Sequence, residues 1–266
     1  MPYFLDTSET IPSGLGFSHF DLSHIIWLVA FLVVTVAACL IYRRLSDERA
    51  QRIFRRVFAG VIVFDEAWKW FWLIVGGNWT VEYLPLHLCS INIILIAIHA
   101  WKPCRLLDNF LYLICIPGAL AALLFPTWTK LPVANFMYWH SFTVHLLLAA
   151  YPIVLFVGKS IRPHPRYILP CLGMLLGMAV PIYLFNLAFD TNFMFLMYAS
   201  KGNPLKAFED LLGNHLYGFP IIIAAVIFVM YGIPWLALLV RKKKKRTEDA
   251  PLQQEPHECE AQNANV

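Results

Sequence analysis

The feature that most constrains this chain is a series of long apolar stretches with almost no charge, separated by short segments crowded with lysine and arginine. Hydrophobic residues make up 59% of the sequence and charged residues 14%, whereas soluble domains average roughly 45–50% and about 25%. A water-soluble fold of this length could not bury so much apolar surface. We therefore predict an integral membrane protein. We also predict an all-α bundle, because the bilayer core offers backbone groups no water to bond.

A membrane-spanning helix needs about 20 mostly apolar residues, and seven segments meet this requirement. They are residues 21–42, 56–76, 84–101, 106–125, 135–158, 167–189 and 215–240. An N-terminal segment, 1–20, precedes these predicted spans. A basic run that continues into a polar tail, 241–266, follows them, and its composition predicts disorder.

The distribution of basic residues predicts the orientation of the bundle. Seventeen of the 21 lysines and arginines fall in the odd-numbered connectors and the tail. Lys130, Lys201 and Lys206 are the three on the opposite side, and Lys69 lies inside the second predicted span. Because basic residues accumulate on the cytoplasmic side, we expect the N-terminus outside and the C-terminus in the cytoplasm of a multi-pass cell-membrane protein. The basic run then indicates attraction to anionic lipid rather than binding of nucleic acid.

Polar side chains within the predicted spans are candidate functional residues, because burying them in a bilayer is costly. In the second span, Asp65 and Lys69 share a face, and Glu66 can also meet Lys69 three residues later. The other candidates are His87, Cys89, Ser90 and Asn92 in the third span, His140 and His145 in the fifth, Asn186 in the sixth, and Asn192 just after it. At about 1.5 Å of rise per residue, the candidates within the spans fall mainly in the outer half of the bilayer. This predicts a polar cavity that opens outward under the connector 190–214, whose apolar start, 192–198, is expected to pack on the bundle.

Each of these residues also has a purely structural interpretation. The charged residues of the second span could form a neutral ion pair between helices, and Cys89 could be an inert buried thiol. The histidines could be interhelical hydrogen-bond partners. His87 and Cys89 point largely apart on a helix, so we predict no metal ion between them, and the sequence indicates no cofactor.

Several short motifs resemble a known family. They are Glu66 with Trp70, the segment Leu-Pro-Leu-His-Leu-Cys-Ser (84–90), His145, Asn-Phe-Met-Phe-Leu (192–196) and Leu-Leu-Gly (211–213). Together they resemble the bacterial YwaF-type integral membrane proteins, which are similar to the transmembrane protein 164 family of animals. The resemblance extends from about residue 21 to residue 240. It implies an acyltransferase that moves a fatty acyl chain between phospholipids through a membrane cysteine, and it implies Cys89 as the nucleophile.

The first functional hypothesis is therefore a phospholipid acyltransferase or a related thioester enzyme, with membrane phospholipids as its partners. His145 or His87 would act as the base for Cys89, and Glu66 would orient the imidazole. Ser90 and Asn92 would donate hydrogen bonds to the oxyanion. The residues predicted to bind the substrate are Lys69, Ser90, Asn92, His140, Asn186 and Asn192.

Two alternatives remain open on the sequence. The chain could be a transporter or ligand-binding membrane protein that uses Glu66, Lys69 and the histidines without covalent chemistry. It could also be non-catalytic, with the polar residues serving helix association alone. The sequence does not decide whether the protein is an enzyme, and it does not predict an oligomeric state.

Overall fold

Eight helices account for the regular structure of the described residues, 3–200 and 202–236, in a computed structural model of the chain. They are α1 (Leu22–Arg44), α2 (Glu48–Val75), α3 (Leu88–Trp101), α4 (Arg105–Leu124), α5 (Phe136–Val157), α6 (Ile168–Phe189), α7 (Leu205–Leu212) and α8 (from Gly218). Helix α4 contains a π-helical turn, Leu111–Cys115. The all-α fold class is confirmed for the described residues.

The chain divides into two units, one that ends at Ile227 and one that begins at Phe228. The first unit contains α1 to α7 and the first turns of α8. Of the second unit, the structure describes a π-helical segment, Phe228–Gly232, and helical residues up to 236. The end of the last predicted span, 237–240, and the predicted disordered tail lie outside the described residues.

Five helices are long and apolar enough to cross a membrane: Leu22–Arg44, Arg105–Leu124, Phe136–Val157, Pro165–Phe189 and His215–Leu236. Apolar side chains on α1 and α6, such as Leu22, Leu169 and Leu176, are exposed on the helix surface. A soluble protein avoids such continuous apolar surface, whereas lipid covers it. The protein is therefore a multi-pass membrane protein.

The second and third predicted spans coincide with α2 and α3, which are not among these five long apolar helices. Helix α2 begins at Glu48, before the predicted start at residue 56, because Asp47 caps the helix and its side chain accepts a hydrogen bond from the Ala50 N–H. Helix α3 has 14 residues and begins at Leu88 instead of residue 84. Leu84 precedes Pro85 and is extended, as a residue before proline tends to be. Seven membrane crossings therefore remain a prediction.

Helix α7 is the element that the sequence interpretation missed, since residues 190–214 were predicted to be a loop. It begins after Pro204 and ends at Gly213, which adopts a left-handed conformation with φ 76°. Proline at a helix start and glycine just past its end are both favourable. The helix has only eight residues, so no long apolar pattern marks it.

Helix α5 is the centre of the first unit and positions the polar residues. Asn135 caps its start by accepting a hydrogen bond from the Met137 N–H. Helices α1, α2 and α4 pack directly against α5, and most of its side chains are buried. Polar groups on the inner faces of α2 and α5 therefore meet away from lipid.

Candidate functional site

Helix α2 carries a buried charge cluster that begins with an ion pair. The Lys69 ammonium group donates a hydrogen bond to Glu66 Oε1, and the Lys69 residue is only 6% exposed. The indole N–H of Trp70 donates to the same oxygen at 3.2 Å. The predicted ion pair on this helix face is thus present, and a tryptophan reinforces it.

His140 of α5 extends the cluster across the helix interface. Its Nδ1 lies 3.0 Å from Asp65 Oδ2, although these two atoms are not aligned as a hydrogen bond. Its Nε2 lies 3.6 Å from Glu66 Oε2. The imidazole therefore lies between two carboxylates, and the Lys69 ammonium group pairs with one of them.

Cys89 is the second residue of α3 and lies next to this cluster. Its thiol contacts Ser90, and the charges of Lys69 and Glu66 are close enough to act on it. Cys89 is partly buried. Burial of the thiol and the nearby Glu66 carboxylate disfavour a thiolate, whereas the Lys69 cation and the first turn of α3 stabilise one.

His145 of α5 is held in one tautomer by the backbone. Its Nδ1 lies 2.6 Å from the Ser141 carbonyl oxygen. Because a carbonyl oxygen only accepts hydrogen bonds, Nδ1 carries the proton and Nε2 keeps a free lone pair. The ring stacks on Trp128 at 5.1 Å, and Lys69, Asp65 and Glu66 are within electrostatic range. His145 can therefore accept a proton at Nε2.

His87 has the opposite arrangement. Its Nδ1 accepts a hydrogen bond from the Met194 N–H at 3.4 Å, so in the neutral ring Nε2 carries the proton. The ring also packs edge-on against Phe193 at 5.0 Å. His87 is thus suited to donate a hydrogen bond, and it ties the start of α3 to the connector after α6.

The two asparagines predicted to bind substrate have structural partners. Asn186 Oδ1 accepts from the Phe193 N–H and from the Thr191 hydroxyl, and its Nδ2 donates to the Phe193 carbonyl. Asn192 likewise bonds the backbone of residues 197 and 198. Phe193 is 1% exposed and packs on the bundle as expected, whereas Tyr198, at the end of the apolar segment 192–198, is 58% exposed.

Asn92 completes the group of predicted residues. It lies three residues after Cys89, on a neighbouring part of the same helix face, and it is 3% exposed. Among the described residues, its Oδ1 is buried without a hydrogen-bond partner. A buried carbonyl oxygen without a hydrogen-bond donor is costly, so Asn92 Oδ1 can accept a hydrogen bond from a donor that enters beside Cys89.

The structure differs from the sequence interpretation in how the imidazoles are oriented. Glu66 accepts hydrogen bonds from Lys69 and Trp70, and the imidazole nearest to it is that of His140. The Ser141 carbonyl and Trp128 orient His145 instead. Helix spacing could not reveal Trp128, because it lies in the connector between α4 and α5.

Comparison with known proteins identifies one family. The model described as the TMEM164 family matches residues 19–246, which is most of the 266-residue chain. No curated protein and no solved structure gives a significant match. The matched region includes every candidate residue described above.

Proposed function

Because this chain belongs to the TMEM164 family, we propose that it is a cysteine-dependent acyltransferase that moves a fatty acyl chain between membrane phospholipids. The membrane would be the cell membrane, and the chain would belong to the YwaF-type bacterial branch of this group. The proposal takes Cys89 as the nucleophile. Three helices of the first unit supply the groups around it.

The observation that carries the proposal is the position of Lys69. Its buried ammonium group acts electrostatically on Cys89, His87 and His145, which come from α3 and α5. A structural ion pair would need only Glu66 as its partner. A cation near a thiol also stabilises the thiolate that nucleophilic attack needs.

The acyl transfer would take place in two balanced steps. The Cys89 thiol gives its proton to His145 Nε2, and the sulfur attacks the ester carbonyl carbon of a phospholipid. The C–O bond of the ester breaks, the lysophospholipid alcohol takes the proton from His145, and an acyl thioester remains on Cys89. The hydroxyl of a second lysophospholipid then attacks the thioester, and the thiol is restored with its proton.

Hydrogen-bond donors beside Cys89 would stabilise the oxyanion of each tetrahedral intermediate. His87 is suited to this role because its Nε2 carries the proton when Nδ1 accepts from Met194. Ser90 and Asn92 offer further donors on the same helix. Lys69 and His140 would hold the cluster's charge balance, and in this proposal Asn186 and Asn192 act by shaping the connector that covers His87.

The test is detection of the covalent intermediate. The purified protein is incubated with a phospholipid that carries a labelled acyl chain, and intact-protein mass spectrometry measures the acyl adduct on Cys89. We expect a hydroxylamine-sensitive adduct in the wild type and none in Cys89→Ala. His145→Ala should slow adduct formation by about 10²–10⁴-fold, the usual contribution of a general base.

Cys39→Ala is the matched control, since Cys39 is a partly buried cysteine of α1. It should leave the adduct and acyl exchange unchanged. Acyl exchange that persists in Cys89→Ala would contradict the proposal. Ligand uptake that survives Cys89→Ala but is lost in Glu66→Gln would favour a transporter instead.

A further inference from the structure

A second polar site lies at the other end of the helices, far from Cys89. It is a cavity of about 510 Å³ between the start of α2, the connector from α3 to α4 and the connector after α5. Small-molecule pockets typically enclose roughly 300–1,000 Å³. The cavity is therefore large enough for a ligand, and the proposed acyl transfer does not use it.

Three arginines line this cavity: Arg52, Arg55 and Arg105. Among the described residues, Arg55 and Arg105 form no ion pair with a carboxylate, and Arg55 Nε is buried without a hydrogen-bond partner. Arg52 contacts Glu48 at 3.5 Å, but the Glu48 side chain is 91% exposed. Such a solvent-exposed pair is weak, so all three guanidinium groups can receive an anion.

The one buried carboxylate at the cavity, Asp108, already has a hydrogen-bond partner of its own. His99 Nε2 lies 2.9 Å from Asp108 Oδ1, and His99 Nδ1 lies 2.9 Å from the Tyr151 hydroxyl. Both imidazole nitrogens are thus engaged, and the Asp108 carboxylate is tied to His99. This network holds Asp108 against His99, and the other carboxylate that lines the cavity, Glu48, is solvent-exposed.

We propose that this cavity binds the phosphate group of an anionic phosphate ester through Arg52, Arg55 and Arg105. Guanidinium groups bind phosphate oxygens with paired, charge-assisted hydrogen bonds. The buried Arg55 Nε gains its missing acceptor from such a ligand. Both a phospholipid headgroup and a soluble phosphate ester carry this chemistry.

The site is separate from the proposed acyl-transfer site. His99 follows Cys89 by ten residues on the same helix, which corresponds to about 15 Å along the axis. Phosphate binding can therefore be measured in a Cys89→Ala background. If Cys89 does not transfer acyl chains, phosphate binding at the cavity is unaffected. If the cavity does not bind phosphate, acyl transfer at Cys89 is likewise unaffected.

The test is a titration of the purified full-length protein in dodecyl maltoside micelles by isothermal calorimetry. The probes are dioctanoyl phosphatidic acid, glycerol 3-phosphate and inorganic phosphate, and dioctanoylglycerol is the neutral comparison. We expect a phosphate probe to bind and dioctanoylglycerol to show no binding. Arg55→Gln and Arg105→Gln should each raise Kd about 10-fold, which corresponds to one charged hydrogen bond.

Arg49→Gln is the matched control, because Arg49 is an exposed arginine of the same helix that does not line the cavity. It should change Kd less than about twofold, within the small effect of a distant exposed charge. Arg105 is exposed, so its variant tests binding even where Arg55→Gln lowers the melting temperature. The proposal is overturned by equal losses in all three variants, by unchanged binding in Arg55→Gln and Arg105→Gln, or by no binding of any phosphate probe.

The probes also identify the source of the ligand. Competition by glycerol 3-phosphate or inorganic phosphate indicates a soluble phosphate ester. Binding of dioctanoyl phosphatidic acid without such competition indicates a lipid headgroup. Both outcomes support the phosphate site.

Discussion

At the scale of single residues, Lys69 is the side chain on which the candidate site depends. A lysine that is 6% exposed inside a helix bundle is stable only if its charge is compensated. The Glu66 carboxylate supplies that compensation, and Asp65 and His140 contact each other beside this ion pair. The same cation acts on Cys89, so stability and reactivity share one group.

Removing the Glu66 charge tests this dependence. We expect Glu66→Gln to destabilise the protein by about 3–5 kcal/mol, because it leaves the buried Lys69 charge without its partner. Replacing both residues, Glu66→Gln with Lys69→Met, should recover much of the loss. Thermal unfolding in detergent, followed by tryptophan fluorescence, measures both variants.

The chain offers a matched control in α7. Lys206 and Glu209 form an ion pair at 2.8 Å with the same three-residue spacing, but both side chains are solvent-accessible. This hydrogen bond lowers the pKa of Glu209. Glu209→Gln should leave the unfolding temperature nearly unchanged, since water screens the pair. Equal losses in the two glutamate variants would show that burial of Lys69 is unimportant.

At the scale of elements, α5 connects the candidate site to the arginine-lined cavity. It carries His140 and His145 at one end and Tyr151 farther along. Immediately after the last residue of α5, Gly158 lies against the ring of Tyr42 from α1, and the Tyr42 hydroxyl is 2.7 Å from Ser160 Oγ. The close approach of α1 and α5 therefore requires a residue without a Cβ.

We predict that Gly158→Ala lowers the free energy of unfolding by about 1–3 kcal/mol, the usual cost of overpacking. The added methyl group would overlap the Tyr42 ring, which is 1% exposed and cannot move freely. Gly173→Ala in α6 is the control, since nothing lies near the position of its Cβ. That substitution should stabilise the helix by about 0.5–1 kcal/mol. Denaturant unfolding followed by circular dichroism compares the two, and a Gly158→Ala protein as stable as the wild type would refute the argument.

At the scale of the whole molecule, contacts between connectors group them at two ends of the helices of the first unit. Asn78, after α2, donates to the Leu5 carbonyl, and Asn135, before α5, donates to the carbonyls of Tyr3 and Asp6. The start of α2, the junction of α3 with α4 and the connector after α5 meet instead around the arginine-lined cavity. This grouping is the one that seven crossings require, because connectors must alternate between sides.

Cysteine labelling of the connector between α2 and α3 tests whether these two helices cross the membrane. We expect Thr80→Cys, in the exposed connector between α2 and α3, to react with a membrane-impermeant maleimide added outside intact cells. The exposed native Cys104 should react only after the membrane is permeabilised. Peptide mass spectrometry locates each adduct.

Lys130→Cys, in the connector before α5, is the control for outside access. If Lys130→Cys reacts outside while Thr80→Cys reacts only after permeabilisation, α2 and α3 do not cross the bilayer. The protein would then have the five crossings that length and apolarity alone support.

Much of the fold follows from the sequence, because a helix that crosses lipid must be apolar along a continuous stretch of the chain. An apolar stretch of about 20 residues is visible without knowledge of its neighbours, and the positions of the helices agree with the predicted spans. Helix ends outside the apolar stretches were predicted less well, because local capping residues set them and hydropathy does not. The cap at Asp47 extends α2, and Pro204 and Gly213 bound α7. The spacing of Glu66 and Lys69 on one helix also predicted their pairing.

The identity of the apolar helices and the polar residues they carry was thus determined by the sequence alone. Only the tertiary structure decided which of those residues meet, that His140 faces Asp65, and that His145 and His87 present opposite tautomers. The arginine-lined cavity was likewise invisible, because its walls combine the start of α2, the junction of α3 with α4 and the connector after α5. Helical periodicity fixes the face of a side chain within one helix, whereas contacts between helices depend on packing that no single segment encodes.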